Sequence, residues 1–247
     1  MAAVRIRTVA LVLVVGLVGG CDWAGGDGRD RNPENRPGYV LGERDGGPPH
    51  KIRGDGDVTS FQLFGGADVV RVRLADLGGD LYELSTPDDS KAAPTASIEG
   101  ADLVAGLRAT GRGGPAVLTV VLSDDVRWQV RLAGGAQDES VDLSGGRGGD
   151  VDFSAGTTRA AVVLPAADGT QKVTLGGGAS LLSVRVPGRA PVRVSALGGA
   201  GSVTIDGQVR TGVAGGSVWA QDGWEGAAAR YDVNATSGVA TITVERF

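Results

Sequence analysis

Along the second half of the chain, two apolar residues repeatedly flank a single intervening residue, and glycine-rich sequence follows. Val130 and Leu132 are followed by Val141 and Leu143, Val151 and Phe153, Val162 and Leu164, Val173 and Leu175, Val184 and Val186, Val194 and Ala196, and Val203 and Ile205. The first members stand at 130, 141, 151, 162, 173, 184, 194 and 203, in steps of 11, 10, 11, 11, 11, 10 and 9. Alternation with a period of two predicts short strands buried on one face, and Val, Ile, Phe and Thr suit such strands. The turns between them are marked by Gly145 and Gly146, Pro165, Gly176 to Gly178, Pro187 and Gly188, and Gly198 and Gly199.

A second register lies over the first. Gly156 aligns with Gly178 and Pro165 with Pro187, and the segment VDFSAG aligns with VTLGGG, a repeat of 22 residues. Alternate turns therefore match, which predicts two strands per coil of 21 to 22 residues: an all-β, glycine-rich β-solenoid. An antiparallel β-sandwich with regular turns is the alternative. The solenoid register stacks Arg131, Asp152, Thr174 and Ser195 as one outward row, and Asp142, Val163, Arg185 and Thr204 as another. Inward, it packs Phe153 between Leu132 and Leu175. Less regular strands are expected at Phe61 to Gly66, Val72 to Leu74 and Leu118 to Val120, with an inserted loop between Ser85 and Ser97 and unsettled structure over 81–116. Trp219, Trp224 and Tyr231 fall where the open end of such a stack needs a cap.

The run from VDLSGG through VTLGGG to VSALGGAGSVTIDG resembles the toast-rack group of adhesin-like bacterial surface domains, over roughly Thr59 to Phe247. The resemblance implies a β-solenoid on an exported protein and brings no catalytic residues with it.

Composition changes this picture little. Glycine is abundant, 43 of 247 residues, but the 41% hydrophobic content is enough to build a core. The net charge of −5 is mild and its signs are interspersed, so nucleic acid is not an expected partner.

The N-terminus adds an address. Arg5 and Arg7 precede an apolar run from Val9 to Val18, then Gly19, Gly20 and Cys21. The run is short for a membrane span, which takes roughly 20 residues, and reads as a secretory signal over 1–20. The segment LVGGC resembles a bacterial lipobox, which implies cleavage before Cys21 and a thioether-linked lipid on its sulfur. Cys21 is the only cysteine, so no intramolecular disulfide is possible. Residues 21–57, dense in Gly, Pro and charge, read as a flexible tether, with the folded domain expected over 58–247. The expected location is the outer face of a bacterial cell membrane, with palmitate-type acylation holding the chain.

Candidate chemistry is sparse. The only histidine, His50, falls in the expected tether, so a Ser-His device has no base within the domain. The carboxylate pairs Asp88 and Asp89, Asp124 and Asp125, and Asp138 and Glu139 lie near turns, where acidic residues solvate and cap the backbone. The segment GGRGGDVDF approaches a calcium-binding nonapeptide but carries Asp152 where a core residue is required. No catalytic, cofactor-binding or metal residues are expected. Trp128, Trp219 and Trp224 are the aromatics that could stack on sugar rings. The sequence thus points to a non-catalytic surface binding or structural module whose partner is a cell-wall polysaccharide or an envelope protein. A carbohydrate-active enzyme on a β-helix and an envelope-stress or signalling partner are the alternatives.

Overall fold

A computed structural model describes residues 50–247. The signal segment, Cys21 and residues 21–49 of the expected tether lie outside the described residues. The strands are β1 (Lys51–Gly54), β2 (Ser60–Leu63), β3 (Val69–Ala75), β4 (Tyr82–Ser85), β5 (Ala92–Glu99), β6 (Asp102–Ala109) and β7 (Val117–Ser123). The regular part of the ladder forms β8 (Trp128–Leu132), β9 (Asp138–Asp142), β10 (Gly149–Phe153), β11 (Thr157–Val163), β12 (Thr170–Leu175) and β13 (Ala179–Val186). There follow β14 (Val192–Ala196), β15 (Ala200–Ile205), β16 (Gln208–Val213), β17 (Ser217–Ala220), a single 3-10 turn at Trp224–Gly226, β18 (Arg230–Ala235) and β19 (Val239–Arg246).

The fold is all-β, and the strands make two sheets. The first is ten-stranded, in the order β1-β4-β7-β3-β9-β11-β13-β19-β15-β16, and the second is nine-stranded, in the order β17-β14-β18-β12-β10-β8-β2-β6-β5. In the regular part, consecutive strands alternate between sheets, and each strand lies parallel to the one that follows two places later. Val130 pairs with Val151 and Val151 with Val173 in the second sheet, while Val141 pairs with Val162 and Val162 with Val184 in the first. Strands β9 and β10 belong to different sheets, so the antiparallel pairing of 141–143 with 151–153 that a meander requires does not form. In its layers the molecule is two facing sheets; in its connectivity the chain winds from one sheet to the other and back.

Both ends depart from simple winding. After β13 the chain passes over one position in each sheet: β14 and β15 lie one strand further out, and the gaps are filled from the C-terminus by β18 and β19. At the other end β2 and β3 fill the places between the β6 and β7 coil and the β8 and β9 coil. Antiparallel strands then close the edges: β4 and β1 beyond β7, β5 beyond β6, β16 beyond β15, and β17 beyond β14.

A single hydrophobic cluster drawn from both sheets fills the interior. Phe153 is fully buried and sits in register between Leu132 and Leu175, as the 22-residue repeat requires. Each such aliphatic or aromatic side chain contributes on the order of 1.5–3 kcal/mol by leaving water. The paired glycines have a packing reason. A Cβ on Gly177 would lie 2.1 Å from the Ala155 carbonyl carbon, and one on Gly134 would lie 2.0 Å from the Gly65 carbonyl oxygen. Turns of successive coils approach too closely there for any side chain.

Four expectations need correction. Lys51–Gly54, expected in the tether, forms β1 on the edge of the first sheet, so ordered structure begins ahead of residue 58. The segment expected as a loop between Ser85 and Ser97 contains β5, which folds onto β6 as an antiparallel hairpin. Its Pro94 is tolerated because β5 is an edge strand. Ser195 is in its expected row but does not touch Thr174, because Asn234 on the inserted β18 stands between them. Thr204 leaves its expected row altogether. It aligns with Thr243 and Ser183, while Glu245 takes the place beside Arg185.

Candidate binding face

The outward residues of the second sheet form two adjoining rows. One runs Gln62, Arg131, Asp152, Thr174, Asn234, Ser195, and the other runs Asp102, Ser60, Gln129, Asp150. Lys172, Asp232 and Arg193 carry the second row onward across β12, β18 and β14. Neighbouring strands repeat at about 4.8 Å, so polar side chains are presented at that interval. Over β2, β8, β10 and β12 the face sinks into a shallow depression of about 340 Å³, lined by Gln62, Gln129, Arg131, Asp150, Asp152 and Lys172 among others.

Several of the charges on this face are held by partners. Arg131 Nε donates to Asp152 Oδ2 at 3.1 Å, and Ser154 Oγ donates to the same oxygen at 3.0 Å. The backbone N–H of Lys172 donates to Asp150 Oδ1 at 3.0 Å. Arg193 and Asp232 make a two-pronged pair, 3.0 Å through Nε and 2.7 Å through Nη2, and this bonding holds the Arg193 guanidinium more firmly in its charged form. On the outer face of the first sheet, Arg159 pairs with Asp138, and Asp142 accepts hydrogen bonds from both the backbone and the hydroxyl of Ser144. Arg185 is also outward and exposed, 5.0 Å from the centroid of the Phe247 ring.

The candidate aromatics separate sharply. Trp128 is fully buried with its Nε1 donating to the Ser123 carbonyl at 2.8 Å, so it is a core residue and not a sugar platform. Trp224 is also buried, donates to the Tyr231 carbonyl at 2.8 Å, and has the guanidinium carbons of Arg193 and Arg230 3.7 Å and 4.4 Å from its ring centroid. Tyr231 is fully inside. Trp219 alone of the three tryptophans is half-buried, on β17 at the end of the stack. His50 is buried and its Nδ1 lies 2.9 Å from Thr86 Oγ1, which makes it part of the domain edge and not of a tether.

Asp88 and Asp89, and Asp124 and Asp125, do lie in turns. Asp138 and Glu139 do not behave alike. Asp138 faces outward to Arg159, whereas Glu139 is buried with no hydrogen-bond partner for either carboxylate oxygen among the described residues. Burial pushes the Glu139 carboxyl up to about 8, against a smaller opposing effect of the Thr157 hydroxyl. The signal was in the sequence, since Glu139 shares the inward parity of Val141 and Leu143.

No family model matches the chain, and no curated protein matches it. Among solved structures, a candidate cell adhesion protein from Clostridium sporogenes matches at 16% identity with a TM-score of 0.56, covering 77% of this chain and 93% of its own. What the two share is an all-β fold. A candidate adhesin from Bacteroides fragilis matches at 12% identity over 78% of this chain and 96% of its own, with a TM-score of 0.22. The first likeness agrees with the all-β architecture expected from the glycine-rich repeat.

Proposed function

We propose that the protein is a non-catalytic binding module of the bacterial cell surface, carried at the outer face of a membrane by lipid on Cys21, with envelope polysaccharide as its ligand. The observation that carries this reading is the outer face of the second sheet. There, hydrogen-bonding side chains stand in rows at the strand repeat, and the charges at its centre are matched as Arg131 with Asp152 and Arg193 with Asp232. Such a face offers a polymer many fixed donors and acceptors at regular intervals. The fold shared with the Clostridium sporogenes protein supports the same reading.

The test is a photo-crosslinking residue at Gln129 in intact cells, followed by identification of what is attached. Polysaccharide attached at Gln129, and lost in the Arg131→Ala, Asp152→Ala double variant, is the expected result. Attachment of a membrane protein instead would make this a signalling or assembly partner, and turnover of the attached glycan would make it an enzyme.

A further inference from the structure

The last layer of the stack is not a coil. Strands β16 and β17 run antiparallel to their neighbours at the ends of the two sheets. Gln208 and Arg210 pair with Ile205 and Val203, and Trp219 pairs with Val194, all three partners being buried core residues. The alternation of strand side chains therefore turns Gln208, Arg210 and Trp219 toward the same space above the core, where a regular coil would place aliphatic residues. The space is a cleft of about 190 Å³ bordered by Ile205, Asp206, Gln208, Arg210, Trp219 and Gln221. It lies below the roughly 300 Å³ of ordinary small-molecule pockets, so it has room for one ring or a chain end.

One wall of the cleft is fixed. Asp206 Oδ2 accepts from Gln221 Nε2 at 2.8 Å and from Arg246 Nε at 2.9 Å, and Arg246 Nη2 donates to Gln221 Oε1 at 2.8 Å. The charge of Arg246 is thus answered by Asp206. Arg210 makes no ion pair among the described residues, and its guanidinium carbon lies 5.5 Å from the Trp219 ring centroid. One uncompensated guanidinium beside a half-buried indole is the unusual feature of this end.

We infer that this cleft binds a uronate residue at the end of an acidic polysaccharide. The carboxylate meets the Arg210 guanidinium as a charge-assisted pair, the sugar ring lies against the Trp219 indole, and ring hydroxyls reach the Gln208 amide and Asp206 Oδ1. A neutral sugar leaves Arg210 unanswered. A bare phosphate makes no use of the indole and meets the Asp206 carboxylate. This rests on the reading of the domain as a surface binding module and adds a ligand class and a second site at the end of the stack.

The experiment titrates the full-length protein with trigalacturonate and with its carboxyl-reduced, neutral counterpart, following intrinsic tryptophan fluorescence and binding heat. Trigalacturonate is expected to bind, with the neutral trisaccharide and the Arg210→Gln variant each at least about tenfold weaker. The fluorescence change should vanish in Trp219→Phe, a variant that keeps an aromatic ring for packing. Equal melting temperatures of the variants and the wild type verify the fold. Absence of trigalacturonate binding, equal binding of the neutral trisaccharide, or undiminished binding by a folded Arg210→Gln protein overturns the inference. If crosslinking at Gln129 survives while trigalacturonate fails to bind, only the end site falls. If trigalacturonate binds and Gln129 captures nothing, the reading of the sheet face falls instead.

Discussion

At the scale of single residues, position relative to the sheet decides the effect of a change more than chemical type does. Phe153 and Asp152 are neighbours on β10, one fully buried and the other partly exposed beside Arg131. Phe153→Ala should destabilise the fold by about 3–5 kcal/mol through the cavity it leaves. Asp152→Ala removes a surface ion pair and should cost less than about 1 kcal/mol. Denaturant unfolding of both variants checks the contrast, and equal losses would contradict the inward placement of Phe153. Glu139 makes the pH dependence specific. Because its folded carboxyl is raised to about 8 by burial, above its ordinary carboxylate range, the folded chain holds a proton that the unfolded chain gives up. That contribution to stability is complete below the unfolded value near 4.5 and is lost as pH rises through about 8. Glu139→Gln should remove this loss, so that its unfolding midpoint changes less between about pH 5 and about pH 8.5 than that of the wild type.

At the scale of elements, strand identity was legible wherever alternation and glycine punctuation were regular, and β8 to β13 pair as the repeat of 21 to 22 residues requires. Beyond β13 the repeat misplaces neighbours, because β18 and β19 enter between strands that are adjacent in the ladder. A pair of engineered cysteines separates the two arrangements. In a Cys21→Ser background, Thr174→Cys with Asn234→Cys should form a disulfide, since adjacent strands lie about 4.8 Å apart. Thr174→Cys with Ser195→Cys should not, since two strand spacings exceed the ~7 Å that a disulfide can bridge. Peptide mapping of the oxidised proteins reads the result, and a 174 to 195 crosslink would mean simple sequential winding.

At the scale of the whole molecule, two pairs of strands, β2 with β3 and β18 with β19, are inserted within the sheets between strands of other parts of the chain. Strands from the beginning and the end of the domain each complete a layer laid down by distant parts of the chain. The polar rows that make up the candidate face cross these insertions, so the face is a property of the assembled sheet. Under the lipoprotein proposal, delivery to the cell surface is a separate matter that falls to the N-terminal segment. Cys21→Ser should abolish incorporation of an alkynyl fatty acid and move the protein from the membrane to a soluble fraction. A wild-type protein that takes up no label would end the lipoprotein proposal.

The sequence by itself determined the short strands, the glycine turns, the inward and outward faces of the regular coils and the outward alignment of Arg131 with Asp152, because each follows from a period of two and a local repeat. Only the tertiary structure decided that Asn234 parts Thr174 from Ser195, that Trp128 is core while Trp219 borders a cleft, and that Lys51–Gly54 joins the sheet. Parallel pairing joins segments far apart in the chain, and any strand of matching alternation satisfies the local pattern. Which one fills a given gap depends on closing a common core, and that condition is met only by the whole chain.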